Sequence, residues 1–223
     1  MTHATGKEAG PMLSEEDKDD LYDAIVEGNR DGVVTVARKA VDQGEDIEAL
    51  LQQVMIPAMG HVGQLFSAGE IFVPEMLVAA RAMQVGLDII EPVLAASDHE
   101  PLGRVCIGSV KGDLHDIGKN LVVMMLKGAG FEVDDLGVDV PVEKFEAAVE
   151  RGSKIICLSA LLTTTKPQMR TVVEHFRGRN DVRIVIGGAV VTEDYARAIG
   201  ADGFGEDAPG AVTAVRRCLE AMA

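Results

Sequence analysis

From Ser14 to about Ala96 the apolar residues recur three and four positions apart, the spacing of one face of a helix. Leu21, Ile25 and Val26 form a short stripe behind the acidic opening SEEDKDD, whose carboxylates suit the positive end of a helix. Ser14 with Asp17 three residues later has the spacing of a capping box. Further helices are predicted from Gly32 to Gln43, closed by Gly44, from about Asp46 to Phe66, and from about Pro74 to Ala95. Four helices on short connections predict an antiparallel four-helix bundle. The connection MGHVGQLFSAGEIFVPEM gathers Phe66, Ile71, Phe72 and Val73 around Gly69. Such side chains either plug the bundle's own end or cover something else.

After the polar stretch ASDHEPLGR the period changes: short apolar runs such as RVCIGSV, KIICLSALL and VRIVIGG alternate with helical segments. Five β-α units in succession predict a five-stranded parallel sheet wrapped by helices, a Rossmann-like (flavodoxin-like) domain. The chain therefore divides into a flexible leader (residues 1–13), a helical-bundle cap (14–96), a linker (97–103) and an α/β domain (104–223). In open sheets of this kind ligands bind beyond the carboxyl ends of the strands, where strand order reverses. The residues that follow the strands are Asp113 and His115 after the first, Ser159 with Thr163, Thr164 and Thr165 after the third, and Gly187 with Gly188 after the fourth.

Charge narrows the partners. Asp and Glu outnumber Lys and Arg by 36 to 21, and the formal net charge of −15 repels phosphate backbones and anionic lipid, so neither nucleic acid nor membrane is expected. No apolar run approaches the roughly 20 residues of a membrane span, and MTHATGKEAGPM lacks the features of a signal peptide, which places the expected location in the cytoplasm. Cys106, Cys157 and Cys218 show no CxxC spacing and read as small buried hydrophobes.

Common phosphate cradles fail. The first loop reads Gly108-x-x-x-Gly112 instead of GxGxxG; Gly112 and Gly118-Lys119 are separated by five residues instead of four, with Asn120 where a P-loop needs Ser or Thr. The place of a response regulator's phosphorylated carboxylate is taken by LSALLTTT. What remains in VKGDLHDIGKN is one imidazole with a carboxylate two positions before it. A carboxylate on one ring nitrogen fixes the tautomer and makes the other nitrogen a better metal donor. One His cannot hold a free ion, and His3, His61, His99 and His175 are scattered, so any metal would arrive caged in a cofactor. Alternatively, Asp113 caps the following helix and His115 only packs. The glycines of IGGAVV and the hydroxyls of SALLTTT admit a ligand crevice or tight strand–helix packing.

Together, Asp113-x-His115-x-x-Gly118, Ser159-x-Leu161 and Gly187-Gly188, in this order and separation, resemble the three-part signature of cobalamin-binding proteins. MGHVGQLFSAGEIFVPEMLVAARAM likewise resembles the helical cap of methyl-carrying corrinoid proteins of three-component methyltransferase systems, which are similar to the cap and cobalamin modules of cobalamin-dependent methionine synthase. The resemblance implies a cobalamin bound base-off, its benzimidazole tail threaded into the α/β domain and His115 as the lower cobalt ligand. Asp113 matches the carboxylate partner of that His, and Thr165 matches the hydroxyl that completes the relay, with Thr163 and Thr164 adjacent candidates. Gly112, Asp116, Ile117 and Gly118 share the His loop; Ser159, Leu161, Thr163, Gly187, Gly188 and Ala208 line the crevice for the tail. Phe66 and Val73 match positions covering the upper face, Val73 replacing the usual Leu. Lys166 stands where many relatives carry an apolar residue.

The implied function is one-carbon relay: a methyl group carried on cobalt from a substrate-specific methyltransferase (for a methylamine, methanol, quaternary amine or methoxyaromatic donor) to a second methyltransferase acting on tetrahydrofolate or a thiol. The chain would not catalyse alone, and a reductive activator would serve it in trans. A cobalamin-dependent sensor would add a DNA-binding segment, for which only about a dozen residues precede the first helix, and a mutase subunit would need an open upper face.

Overall fold

The structure, a computed structural model, describes residues 13–97 and 100–222. The leader expected over 1–13 lies, apart from Leu13, outside the described residues, as do residues 98 and 99 of the linker. Two compact units emerge, Met1–Val62 with Ile71–His99, and Gly63–Glu70 with Glu100–Ala223. The last turns of the third helical run thus cluster with the α/β unit.

The helical unit opens with α1 (Glu15–Glu27), followed by α2 (Arg30–Gln43). The capping box of α1 forms: Ser14 Oγ accepts from the Asp17 N–H (3.1 Å), and the Asp17 carboxylate accepts from the Ser14 N–H (3.0 Å). Asn29 caps α2 through the Gly32 N–H. The third run, expected as one helix, is α3 (Ile47–Leu50), a π-helical turn over Leu51–Met55, and α4 (Ile56–Ser67). The wide turn falls directly before Pro57, which has no N–H to continue the α ladder and whose ring would strike the carbonyl four residues back; the extra residue relieves both faults. The fourth run is α5 (Val73–Ala95), which packs on α1 and α2 around buried Leu21, Ile25, Val33, Met76 and Met83.

The second unit is a five-stranded parallel sheet of β1 (Arg104–Ser109), β2 (Glu132–Asp135), β3 (Ile155–Ser159), β4 (Arg183–Gly187) and β5 (Gly203–Gly205), in the order β2-β1-β3-β4-β5. The helices α6 (Ile117–Gly128), α7 (Val142–Glu150), α8 (Pro167–His175), α9 (Glu193–Ile199) and α10 (Ala208–Glu220) alternate with the strands. Strand alternation divides the core: Val105, Ile107, Ile155, Cys157 and Val185 join Leu126 and Val215 on one face, and Cys106, Ile156, Leu158, Ile184 and Ile186 join Phe145 and Met169 on the other. This is the flavodoxin-like order, and its reversal point lies between β1 and β3. The expected architecture, a helical cap followed by a Rossmann-like domain, is the observed one. Among the described residues, no helix is long and apolar enough to cross a membrane.

The three thiols are buried as expected. Burial pushes Cys106 up to about 12 and Cys218 up to about 11, and raises Cys157 as well. Because the thiolate is the reactive form, iodoacetamide at pH 8 should leave all three unmodified in the native protein and alkylate all three in denaturant, as read by mass spectrometry.

Candidate functional site

β1 ends in a tight turn closed by the Asp113 N–H on the Val110 carbonyl (2.9 Å). Gly112 at φ +83° supplies the left-handed residue this turn requires. The chain then enters α6 through Asp116, so the loop 110–116 lies where the sheet order reverses.

At its centre the Asp113 side chain is fully buried. One carboxylate oxygen, Oδ1, accepts from the His115 N–H (3.1 Å) and lies 2.8 Å from His115 Nδ1. The other, Oδ2, accepts from the Thr165 hydroxyl (2.6 Å) and from the N–H groups of Leu161 (2.8 Å) and Leu162 (3.4 Å). Burial alone would raise this carboxyl; the Thr165 hydroxyl, the Leu161 N–H and the two N–H groups of His115 outweigh it and hold the group well below the usual carboxylate range. An ionised Asp113 only accepts, so the proton between the two groups is on Nδ1, and Nε2 is the ring nitrogen that the carboxylate does not engage. The His115 side chain is 49% exposed. Its backbone is fixed too, since the Ser109 hydroxyl donates to the His115 carbonyl (2.6 Å).

The loop after β3 supplies the second half. Of the three adjacent threonines, only Thr165 is buried and bonded to Asp113, while Thr163 and Thr164 are exposed. Lys166, the unusual residue, lies with its ammonium 4.8 Å from the centre of the Tyr195 ring, and its carbonyl accepts from the Tyr195 hydroxyl (2.9 Å).

The glycines of β4 resolve differently. Gly188 sits at φ +122°, and a Cβ there would lie 2.1 Å from the Ala160 carbonyl oxygen; a Cβ on Gly187 would lie 2.8 Å from the Gly205 oxygen. Their missing side chains admit neighbouring backbone. Ser159 ends β3 beside Gly187, and Ala208 is buried at the start of α10. Phe66 lies partly exposed near the end of α4, in the segment clustered with the α/β unit; Val73 opens α5 in the helical unit and is exposed.

Two features escaped sequence reading. The Lys119 ammonium, 1% exposed, sits 2.6 and 2.7 Å from the two Asp135 oxygens, tying the first turn of α6 to the end of β2. Asp139, after β2, adopts φ +51° and bonds to both Gly112 and Asp113. A charged residue in the first turn of a helix ordinarily faces water, and a left-handed Asp leaves no periodic trace, so neither carried a signal.

The two loops that meet at Asp113 expose the apolar side chains Leu114, Ile117, Leu161 and Leu162, Ile117 at 79%, beside the charged Lys111 and Asp116. A Cβ on Gly118 would meet nothing within 4 Å. Among the described residues, no group of three or more His, Cys, Asp or Glu side chains could hold a metal ion. One imidazole nitrogen does not suit an aquated ion, but it fits a metal whose other positions are already held by a cofactor ring, to which the exposed apolar side chains of the two loops offer a surface.

Comparison with known proteins gives the same chemistry. The sequence matches a B12 binding domain over residues 103–213 and a second B12 binding domain over residues 18–91. It is 38% identical over 208 residues to a corrinoid protein of Desulfitobacterium hafniense (strain Y51), covering 90% of this chain and 96% of that one. It is 40% identical over 205 residues to dimethylamine corrinoid protein 2 of Methanosarcina acetivorans, covering 90% and 94%. The crystal structure of a methanol:cobalamin methyltransferase complex from Methanosarcina barkeri superposes with a TM-score of 0.81 at 30% identity, over 97% of this chain and 87% of that one.

Because Thr165 is the one of the three threonines bonded to Asp113, Thr165→Val should lower stability to chemical denaturation by about 1–3 kcal/mol, the loss of one buried hydrogen bond to a charged group. Thr163→Val and Thr164→Val should stay within about 0.5 kcal/mol of the parent.

Proposed function

Because the chain belongs to the family of B12-binding corrinoid proteins, we propose that it carries a methyl group on a bound cobalamin from a substrate-specific methyltransferase to a second methyltransferase acting on tetrahydrofolate or a thiol. The bound corrinoid supplies a cobalt centre that takes up the methyl group and gives it away. The protein's part is to hold, tune and shield that centre, and a reductive activator acting in trans would restore it after oxidation.

The observation that carries this reading is the half-exposed imidazole of His115, held at Nδ1 by a buried carboxylate, on loops that expose apolar side chains. In the proposal Nε2 is the lower cobalt ligand and the cofactor is base-off. Asp113 would keep the proton on Nδ1 and so leave Nε2 as the nitrogen offered to cobalt. Whether or not cobalt is bound at Nε2, the Nδ1–H bond to the Asp113 carboxylate would hold the ring in its orientation. Asp113, His115 and Thr165 would thus form a hydrogen-bonded relay that joins the cobalt-binding nitrogen's ring to the buried carboxylate.

The remaining assignments belong to the same proposal. Gly112, Asp116, Ile117 and Gly118 shape the loop under the corrin; Ser159, Leu161, Thr163, Gly187, Gly188 and Ala208 line the crevice for the nucleotide tail. Phe66, within the segment clustered with the α/β unit, would shield the methyl-bearing face from water. The methylamine and methanol systems of the relatives supply the donor class.

Reconstitution of the apoprotein with cobalamin tests the division of labour. His115→Ala should load within about tenfold of the parent's affinity, about 1.4 kcal/mol, because the tail dominates binding, while its absorption spectrum shifts to that of cobalamin lacking a lower nitrogen. Loss of all binding in that variant would contradict the assignment. Gly118→Ala should fold with unchanged thermal stability yet bind cobalamin at least about tenfold more weakly, since its methyl group would enter space that the protein leaves open. Unaltered affinity would remove Gly118 from the site.

A further inference from the structure

Asp139 is the only non-glycine residue among those described with a positive φ, at +51°. Asp tolerates that region better than most side chains, but an ordinary residue is held there only where its surroundings require it. Its surroundings are the His loop. The Asp139 N–H donates to the Asp113 carbonyl (2.9 Å), and Asp139 Oδ1 accepts from the Gly112 N–H (2.6 Å). One residue thus grips both ends of the Gly112–Asp113 dipeptide, and the left-handed turn of its backbone lets N–H and carboxylate point the same way. The neighbouring bonds extend this contact. The Val140 N–H donates to the Ser109 carbonyl (3.0 Å) and the Ser109 N–H to the Gly137 carbonyl (3.0 Å), so the β2–α7 connection lies along the whole turn.

We propose that Asp139 is a positioning residue for His115: it fixes the backbone from which the Asp113 carboxylate is aimed and thereby sets the imidazole's tautomer and tilt. The inference rests on the reading of His115 as lower cobalt ligand. Thr165, Leu161 and Leu162 hold the carboxylate at Oδ2, whereas Asp139 holds the main chain that carries it. The two restraints are independent, since neither set of atoms is shared. A carboxylate anchored only at its far oxygen could still pivot, and Oδ1 would then lose its line to Nδ1. Asp139 is exposed, so its replacement spares the core.

Three variants of the full chain separate the contributions. Asp139→Asn keeps an oxygen acceptor for Gly112 and tolerates the left-handed region; Asp139→Gly keeps the backbone geometry but no acceptor; Asp139→Ala has neither. Nitrogen-15 NMR of the unloaded proteins reads which ring nitrogen of His115 carries the proton, and the absorption spectrum of the cobalamin-loaded proteins reads the ratio of imidazole-bound to unbound cobalt. Asp139→Ala and Asp139→Gly should turn a single Nδ1–H tautomer into a mixture and lower that ratio about tenfold or more, with the melting temperature little changed. Asp139→Asn should restore both signals. An unchanged His115 tautomer in Asp139→Ala overturns the inference, as does an Asp139→Asn protein that behaves like Asp139→Ala. If the parent protein loads cobalamin without imidazole on cobalt, the ligand assignment fails instead, and the unloaded tautomer still decides the role of Asp139.

Discussion

The site depends on one buried anion. Asp113 lies beneath the surface at the point where the sheet order reverses, and an unpaired carboxylate there would be costly enough to take up a proton. It stays ionised because two loops converge on it, the β1 loop through His115 and the β3 loop through Leu161, Leu162 and Thr165. The same bonds that satisfy the charge join the two loops and orient the imidazole. Structure and chemistry cannot be separated here: removing the anion would free the His ring and unfasten the β3 loop together.

The surroundings fit that demand. Gly112 provides the left-handed turn that brings Asp113 under His115, and Gly188 lets the end of β4 approach the Ala160 carbonyl so that the β3 loop can fold toward Asp113. Lys119, another buried charge, is neutralised by Asp135 and ties the start of α6 to β2. The two loops expose Leu114, Ile117, Leu161 and Leu162 in a chain of net charge −15, apolar surface available to the face of a large ring.

Much of this was legible in the sequence because it rests on local rules. The Ser14–Asp17 capping box, the alternation of short apolar runs with helical segments, and the carboxylate two residues before a His all depend on residues close in the chain. The choice among Thr163, Thr164 and Thr165 was not legible, since the turn at the start of α8 decides which hydroxyl faces inward. Nor was the π-helical turn before Pro57, which a period-counting reading passes over as continuous helix. Asp139 and Lys119 were invisible for a related reason: each acts on a partner from a different β-α unit, and the pairing exists only once the sheet has assembled. The glycines of IGGAVV show a further limit. Composition flagged a close approach there but could not say whether backbone or ligand makes it, and in the fold it is backbone that fills the space.

The central claim is that His115, aimed by Asp113, is the cobalt ligand of a bound cobalamin. Its most direct test is electron paramagnetic resonance of the cobalt(II) form, reconstituted once with ordinary protein and once with protein labelled with ¹⁵N only in histidine. The account predicts an axial nitrogen splitting of three lines that becomes two lines on labelling. A splitting that is indifferent to the label, or a cobalt(II) signal with no axial nitrogen, would contradict it.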